Sequence, residues 1–392
     1  MLKNASWIIV CRIIQSLLAF VVGLVTARYL GPANYGLINY AAAIVAFAAP
    51  IMKMGLDSIL VNELVNNSEK EGEILGTAIT INVISAFISF IGVCTFVQIA
   101  TGNSKDTLIV CMLYGSSLFS QALEMIIYWY QAKLLSKYMS IVSVISYAIV
   151  SAYKIFLLAN EKNIRWFAVS QALDYLIIAV TLLILYRKLG GQKLRFSFLT
   201  GTQMLSKSKY FIISSMMVSI FAQTDKIMLT AIMNEVETGL YSAAATCSGV
   251  ASFVFAAILD SARPYIFERK KYEDGSYEDG MQSLYCIIFY LALFQSIFMT
   301  MFGGLIVAVL FGNAYSEAVS ILEVITWTSI FSYFGAVRNI WLLAEQKQKL
   351  ILPINISGAV ANVILNALMI PKYGAMGAAI ASLITQAFTN IL

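Results

Sequence analysis

Ser117, Gln121, Glu124, Tyr128 and Gln131 recur at intervals of four, three, four and three residues within an otherwise apolar stretch. On a helix that spacing draws one continuous polar stripe. Ser215, Ser219, Gln223 and Lys226, with Asp225 beside them, mark a second such face. Gln171 and Asp174 mark a third, Asn355, Asn362 and Asn366 a fourth, and Ser242, Thr246, Gly249 and Asp260 a fifth. Glu323 and Arg338 stand fifteen residues apart in a further stretch, about 60° around an ideal helix. The chemistry open to such groups is limited. A carboxylate in an apolar helix can carry a proton or hold a small cation, and this chain has no histidine to share that work. Glu124, Asp174 and Asp225 are therefore the ion-coupling candidates. Arginine and lysine can hold an anion, and arginine grips phosphate with a planar fork. Arg12, with Gln15 and Ser16 on its side of the helix, is the sharpest such feature; Arg28, Lys226, Arg338 and Gln223 complete the substrate-binding candidates. Snorkelling to the interface remains an alternative for Arg12 and Arg28, and hydrogen bonding between helices remains one for the Ser, Thr and Asn positions. Asp225 and Lys226, being adjacent, point about 100° apart and so face separate partners.

The elements that must position these groups are membrane helices. Of 392 residues, 60% are hydrophobic and 12% charged, and mean hydropathy is +0.80. Soluble domains are about 25% charged. That deficit excludes a soluble enzyme, a secreted disulfide scaffold and a disordered chain. Twelve apolar stretches are long enough to cross a bilayer: 7–30, 36–61, 74–100, 107–131, 138–160, 164–186, 210–233, 239–260, 281–311, 317–344, 350–371 and 374–392. The first, with Arg12 inside it and no small-residue cleavage site after it, reads as a retained anchor rather than a signal peptide. The net charge of +5 reads as basic membrane-flanking loops, not as a nucleic-acid footprint. One alternating set of connections holds sixteen lysines and arginines and the other only four. This places both termini in the cytoplasm. Trp7, Tyr29, the run Tyr128-Trp129-Tyr130, Trp166, Tyr186 and Tyr210 lie near span ends, where aromatic rings anchor.

The longest basic connection, Arg187 to Lys209, follows six spans and divides the chain into a six-helix lobe at 1–190, a basic linker at 191–209 and a second six-helix lobe at 210–392. A repeat supports the division. Gly36-Leu37-Ile38-Asn39-Tyr40-Ala41-Ala42-Ala43 opens the second span, and Gly239-Leu240-Tyr241-Ser242-Ala243-Ala244-Ala245 opens the eighth, at an offset of 203 residues. Six spans per half makes it a parallel repeat about an axis along the membrane normal, with substrate expected between the bundles near mid-membrane. No phosphate loop, selectivity-filter repeat or catalytic constellation is present. Cys11, Cys94, Cys111, Cys247 and Cys286 are scattered without C-x-x-C spacing and read as buried free thiols. Neither a metal nor a cofactor is expected, and the chain is not expected to be an enzyme.

Three stretches resemble a known family. Thr26-Ala27-Arg28-Tyr29-Leu30-Gly31-Pro32-Ala33-Asn34-Tyr35-Gly36 is similar to the first-loop signature of bacterial polysaccharide flippases. Thr224-Asp225-Lys226-Ile227-Met228-Leu229, followed by Gly239-Leu240-Tyr241-Ser242, fits the same pattern, as does Ile370-Pro371-Lys372-Tyr373-Gly374-Ala375-Met376-Gly377. These resemble the Wzx-type O-antigen and capsule-repeat flippases of the multidrug/oligosaccharidyl-lipid/polysaccharide exporter superfamily. The resemblance implies an all-α, V-shaped exporter of two six-helix lobes in the bacterial inner membrane. It implies alternating access, ion-gradient coupling and transfer of a polyprenyl-diphosphate-linked oligosaccharide to the outer leaflet for lipopolysaccharide or capsule synthesis. By motif position Arg28, Asp225 and Lys226 carry over; Arg12 and Arg338 rest on burial and charge. Partners implied are the lipid-linked oligosaccharide, membrane lipids, and a polysaccharide polymerase with its chain-length machinery. Members commonly continue past the point where this chain ends, at Leu392. A drug/cation antiporter of the superfamily and a peptidoglycan-precursor flippase are the alternatives. The arginines weigh against the antiporter, whose cleft should favour acidic and aromatic contacts. A membrane polymerase or ligase would need a large catalytic outer loop, and every outer connection here is short.

Overall fold

Among the described residues every regular element is helical. The computed structural model describes residues 2–102, 104–271 and 275–391, with side chains for Cys11 and for 14–390 inside those limits. The main helices are α1 Leu2–Lys53, α2 Leu56–Asn66, α3 Glu71–Ala100, α4 Lys105–Gly115, α5 Ser117–Leu123, α6 Ile127–Ala132, α7 Ser136–Ala159 and α8 Ile164–Lys188. They continue as α9 Phe198–Ile232, α10 Glu235–Ser248, α11 Ser252–Arg269, α12 Ser276–Leu310, α13 Ala318–Ile325, α14 Thr328–Ala344 and α15 Ile351–Ile391. Glu124 opens a single 3₁₀ turn between α5 and α6, so the fourth apolar stretch is a broken helix at its own carboxylate.

Among the described residues, ten helical runs are long and apolar enough to cross a membrane, against twelve stretches read from the sequence. Two of the runs each hold two helices that meet at a non-helical glycine. The backbone passes from the first stretch into the second through a kink at Gly31 (φ 69°, ψ 172°). The last two join through a kink at Gly374 (φ 55°, ψ −133°). Both residues occupy the half of φ space that only glycine enters freely. Pro32 and Pro371 stand beside them, where a missing N–H already interrupts the hydrogen-bond ladder.

The chain forms two compact units, one of Met1–Leu30 with Tyr40–Ser219 and one of Gly31–Asn39 with Ile220–Leu392. In the first, α8 packs against α4, α5 and α7. Its core gathers Leu56, Leu60, Leu75, Ile126, Trp129, Tyr130, Leu182 and Tyr186. The Tyr130 hydroxyl donates to the Leu182 carbonyl at 2.7 Å, so a large aromatic enters the interior with its polar end satisfied. In the second unit α10 packs on α13 and α15, and α12 on α13 and α14. Phe255 and Tyr333 stack there with centroids 3.7 Å apart. Large apolar side chains such as Ile99, Phe294 and Met301 remain exposed on the outside, the surface that lipid covers.

The repeated motif meets itself. A Cβ on Gly36 would sit 1.7 Å from the Glu235 carbonyl oxygen, and a Cβ on Gly239 would sit 2.0 Å from the Pro32 carbonyl oxygen. Pro32 and Glu235 are separated by the same 203 residues as the two glycines, so the crossing is reciprocal. All four residues belong to the second unit. The Tyr35 ring beside them lies 6.1 Å from both Phe311 and Tyr315. Small residues that let backbones touch are the main currency of helix association in lipid. Gly36→Val or Gly239→Val should therefore destabilise the detergent-solubilised protein by about 1–3 kcal/mol or more, seen as a lower thermal midpoint. Gly304→Ala, with nothing within 4 Å of its added Cβ, should leave the midpoint unchanged.

Candidate functional site

Asp225 lies in the last third of α9, in the second unit, and is 8% exposed. Four neutral donors surround its carboxylate. Oδ1 accepts from Asn366 Nδ2 at 2.7 Å and from Asn362 Nδ2 at 3.2 Å. Oδ2 accepts from the hydroxyls of Tyr241 and Ser382, each at 2.5 Å. These donors come from α10 and from both arms of α15. On a straight helix the sixteen residues from Asn366 to Ser382 would span about 24 Å. The Gly374 kink folds the arms together, so that both reach one carboxyl group. The Glu237 carboxylate accepts the Ala375 N–H at 2.7 Å, taking up a donor that the kink releases.

Among the described residues no lysine or arginine comes within 4 Å of Asp225. All four hydrogen-bond partners of the carboxylate are neutral, and the Lys226 ammonium acts on it only through space. Asn366 Oδ1 is buried beside it with no hydrogen-bond partner. A carboxylate with an orphaned amide oxygen next to it suits a proton or a hard monovalent cation, both of which seek oxygen.

The first unit builds a different polar group. Glu124, at its 3₁₀ turn, feels attraction from Lys53 and repulsion from Asp174. Asp174, on α8, accepts the Ser146 hydroxyl at 2.7 Å and is attracted by Lys154 of α7. Among the described residues none of these four charges closes an ion pair within 4 Å. Within α5, Gln121 reaches back to Ser117 at 3.5 Å.

The other candidates are dispersed. Arg338 Nη1 donates to the Thr389 carbonyl of α15, while its Nε stays buried and unpartnered. Arg28 is exposed just before the Gly31 kink. Lys226 and Gln223 are half-buried in α9, and neither donates to Asp225. Arg12 lies within α1, with its side chain outside the described residues. Sequence reasoning missed Tyr241 and Ser382 as partners of Asp225, and it left Lys53 and Lys154 unassigned. Tyr241 had one signal available, since it lies in the repeated motif.

Residues 1–270 match a family model described as polysaccharide biosynthesis protein. The chain is 23% identical, over 98% of its length and 96% of the other, to the capsular polysaccharide biosynthesis protein CapF of Staphylococcus aureus. Among solved structures it is similar to the lipid II flippase MurJ in an inward closed conformation, with a TM-score of 0.74 at 14% identity. That match covers 98% of this chain and 86% of that one. It is also similar to an inward-facing multidrug resistance MATE transporter of the MOP superfamily, with a TM-score of 0.71 at 13% identity, covering 96% and 92%. The architecture is therefore that of these exporters.

Asp225→Asn keeps the shape but swaps one acceptor oxygen for a donor that faces donors. It should destabilise the protein by about 1–3 kcal/mol, read as a lower thermal midpoint in detergent. Arg338→Gln should act locally, speeding amide hydrogen exchange at 386–390 and leaving protection around Asn362 and Asn366 unchanged.

Proposed function

The chain belongs to the family of polysaccharide biosynthesis proteins, and we propose on that footing that it moves a polyprenyl-diphosphate-linked oligosaccharide across the bilayer for cell-surface polysaccharide synthesis. It is a multi-pass membrane protein. In this reading it sits in the bacterial inner membrane with both termini in the cytoplasm, and it delivers substrate to the outer leaflet for a polymerase and chain-length machinery. Alternating access of its helical units moves the saccharide, while the lipid tail stays in hydrocarbon. Arg12, Arg28, Lys226 and Arg338 would meet the diphosphate and Gln223 the sugars. Cations matched to a diphosphate weigh for this cargo over a cationic drug.

The observation that carries the reading is the Asp225 cage. A scaffold helix in lipid has no use for a buried carboxylate whose partners are all uncharged, because ionising it there costs free energy. A transporter does, because a cation or proton bound from one side of the membrane neutralises it and biases one conformation. Asp225 is thus the primary coupling residue, with Glu124 and Asp174 as a second acidic pair.

The test is a reconstituted assay in vesicles bearing a polyprenyl-diphosphate saccharide, with transfer read by accessibility of the sugar to an external enzyme. Wild type should move the saccharide, and an imposed Na⁺ or H⁺ gradient should speed it. Asp225→Asn should abolish the gradient dependence. Arg12→Ala should slow transfer about 10- to 100-fold, the worth of one charge-assisted phosphate contact. Transfer indifferent to Arg12 would return that residue to the interface. No saccharide movement, with efflux of a cationic dye against an opposing ion gradient, would replace this function with drug/cation antiport.

A further inference from the structure

The segment from Arg187 to Tyr210 contains six cations and no carboxylate. It is not a free tether, for its backbone is laid across the first turns of α3. Arg195 N–H donates to the Gly72 carbonyl at 3.0 Å, and Gly72 N–H donates to Gln192 Oε1 at 3.1 Å. The Tyr186 hydroxyl donates to the Gln192 carbonyl at 2.7 Å, and Ser197 N–H donates to Thr77 Oγ1 at 3.0 Å. Gly72 and Gly76 make room: a Cβ on either would sit 2.5 Å from the carbonyl oxygen of Lys193 or Arg195, respectively. Gly201, Met204 and Ser208 then bury one side of the first turns of α9, and Ser208 donates to the Met54 carbonyl at 2.8 Å.

The acids near the segment are Glu63, Glu69, Glu71 and Glu73, and Glu73 attracts Arg195 through space. Glu63 pairs with Lys207 and Glu71 with Lys133. Glu73 accepts the Thr200 hydroxyl. Arg187, Lys188, Lys193, Arg195 and Lys209 are exposed, and among the described residues none has a carboxylate within 4 Å. Interleaved with them are large apolar side chains turned outward: Phe198 at 75%, Tyr210 at 72%, Leu199 at 68% and Phe196 at 53% exposure. Helix α9 has 35 residues, about 52 Å of length against a hydrocarbon core of about 30 Å. Part of it must therefore leave the hydrocarbon, and the charged first turns, with Lys207 and Lys209, are the end suited to the headgroup layer.

We propose that this platform is a docking site for the headgroups of anionic phospholipids. The five cations face the lipid phosphates, and Phe196, Phe198, Leu199 and Tyr210 enter the acyl boundary beneath them. Basic residues beside exposed aromatic and aliphatic ones form the combination that holds a segment in an anionic interface. Because the backbone is already fixed, binding orders only side chains and keeps the affinity that a floppy loop would lose. The inference does not depend on the transport reading and is tested with no transport substrate.

The experiment uses the full-length protein with Phe198→Trp as reporter, reconstituted in vesicles containing either brominated phosphatidylglycerol or brominated phosphatidylcholine. The same protein without that tryptophan supplies the background. Phosphatidylglycerol should quench the reporter at several-fold lower mole fraction. Replacing the five cations by glutamine should remove the preference, at about fivefold for each charge in contact. Exchanging lysine for arginine and arginine for lysine should keep it, and 0.5 M salt should weaken it. Equal quenching by the two lipids in the wild-type background overturns the proposal, as does an unchanged preference in the glutamine variant. Loss of the preference on adding millimolar inorganic phosphate also overturns it, because the site would then be one for free phosphate.

Discussion

A charge inside a membrane helix must be surrounded by donors or it will not stay there, and much of the second unit follows from meeting that condition at Asp225. Tyr241, Asn362, Asn366 and Ser382 all point at one carboxyl group. To assemble them the chain has to bring α10 against α9 and double α15 back on itself. The Gly374 kink, the neighbouring Pro371 and the Glu237 carboxylate that accepts the Ala375 N–H are accessories to that geometry. Apolar packing gives lipid-embedded helices little preference for one neighbour over another, since lipid tails are as apolar as leucine. Directional hydrogen bonds to a single anion supply that preference.

The first unit meets the same constraint by another route. Lys53, Glu124, Asp174 and Lys154 place two positive and two negative charges within electrostatic reach along a chain, without direct pairing. Around Asp225 the groups in direct contact are neutral donors, and Lys226 acts on it through space. The first unit thus meets charge mainly with charge, and the second meets it mainly with dipoles.

Much of this was legible in the sequence wherever the signal was local. Run length and apolarity marked the helices, and Gly31-Pro32 and Pro371 marked the neighbourhoods of both kinks. The polar stripe at Ser117 and Gln121 follows from spacing alone. What stayed hidden was non-local. Ser382 sits in a run of small residues with nothing to distinguish it, and only the reversal at Gly374 carries it to Asp225. Arg338 likewise has a partner, the Thr389 carbonyl 51 residues further on, that no local pattern announces. At Gly31 and Gly374 the backbone leaves helical φ/ψ, so each of these runs holds two helices that meet at a glycine where the sequence places a break.

The reciprocal crossing of Gly36 and Gly239 ties two distant sites of the chain into one evolutionary unit. Each glycine leaves room for the carbonyl presented by the other copy of the motif, so neither position can drift while its counterpart stays fixed. Were the two copies separate half-length chains, the contact would be an isologous dimer interface, self-complementary across a two-fold axis. Joined in one polypeptide, the symmetry no longer follows from identical sequences and has to be kept by selection at both positions. A side chain at either glycine would part both crossings at once.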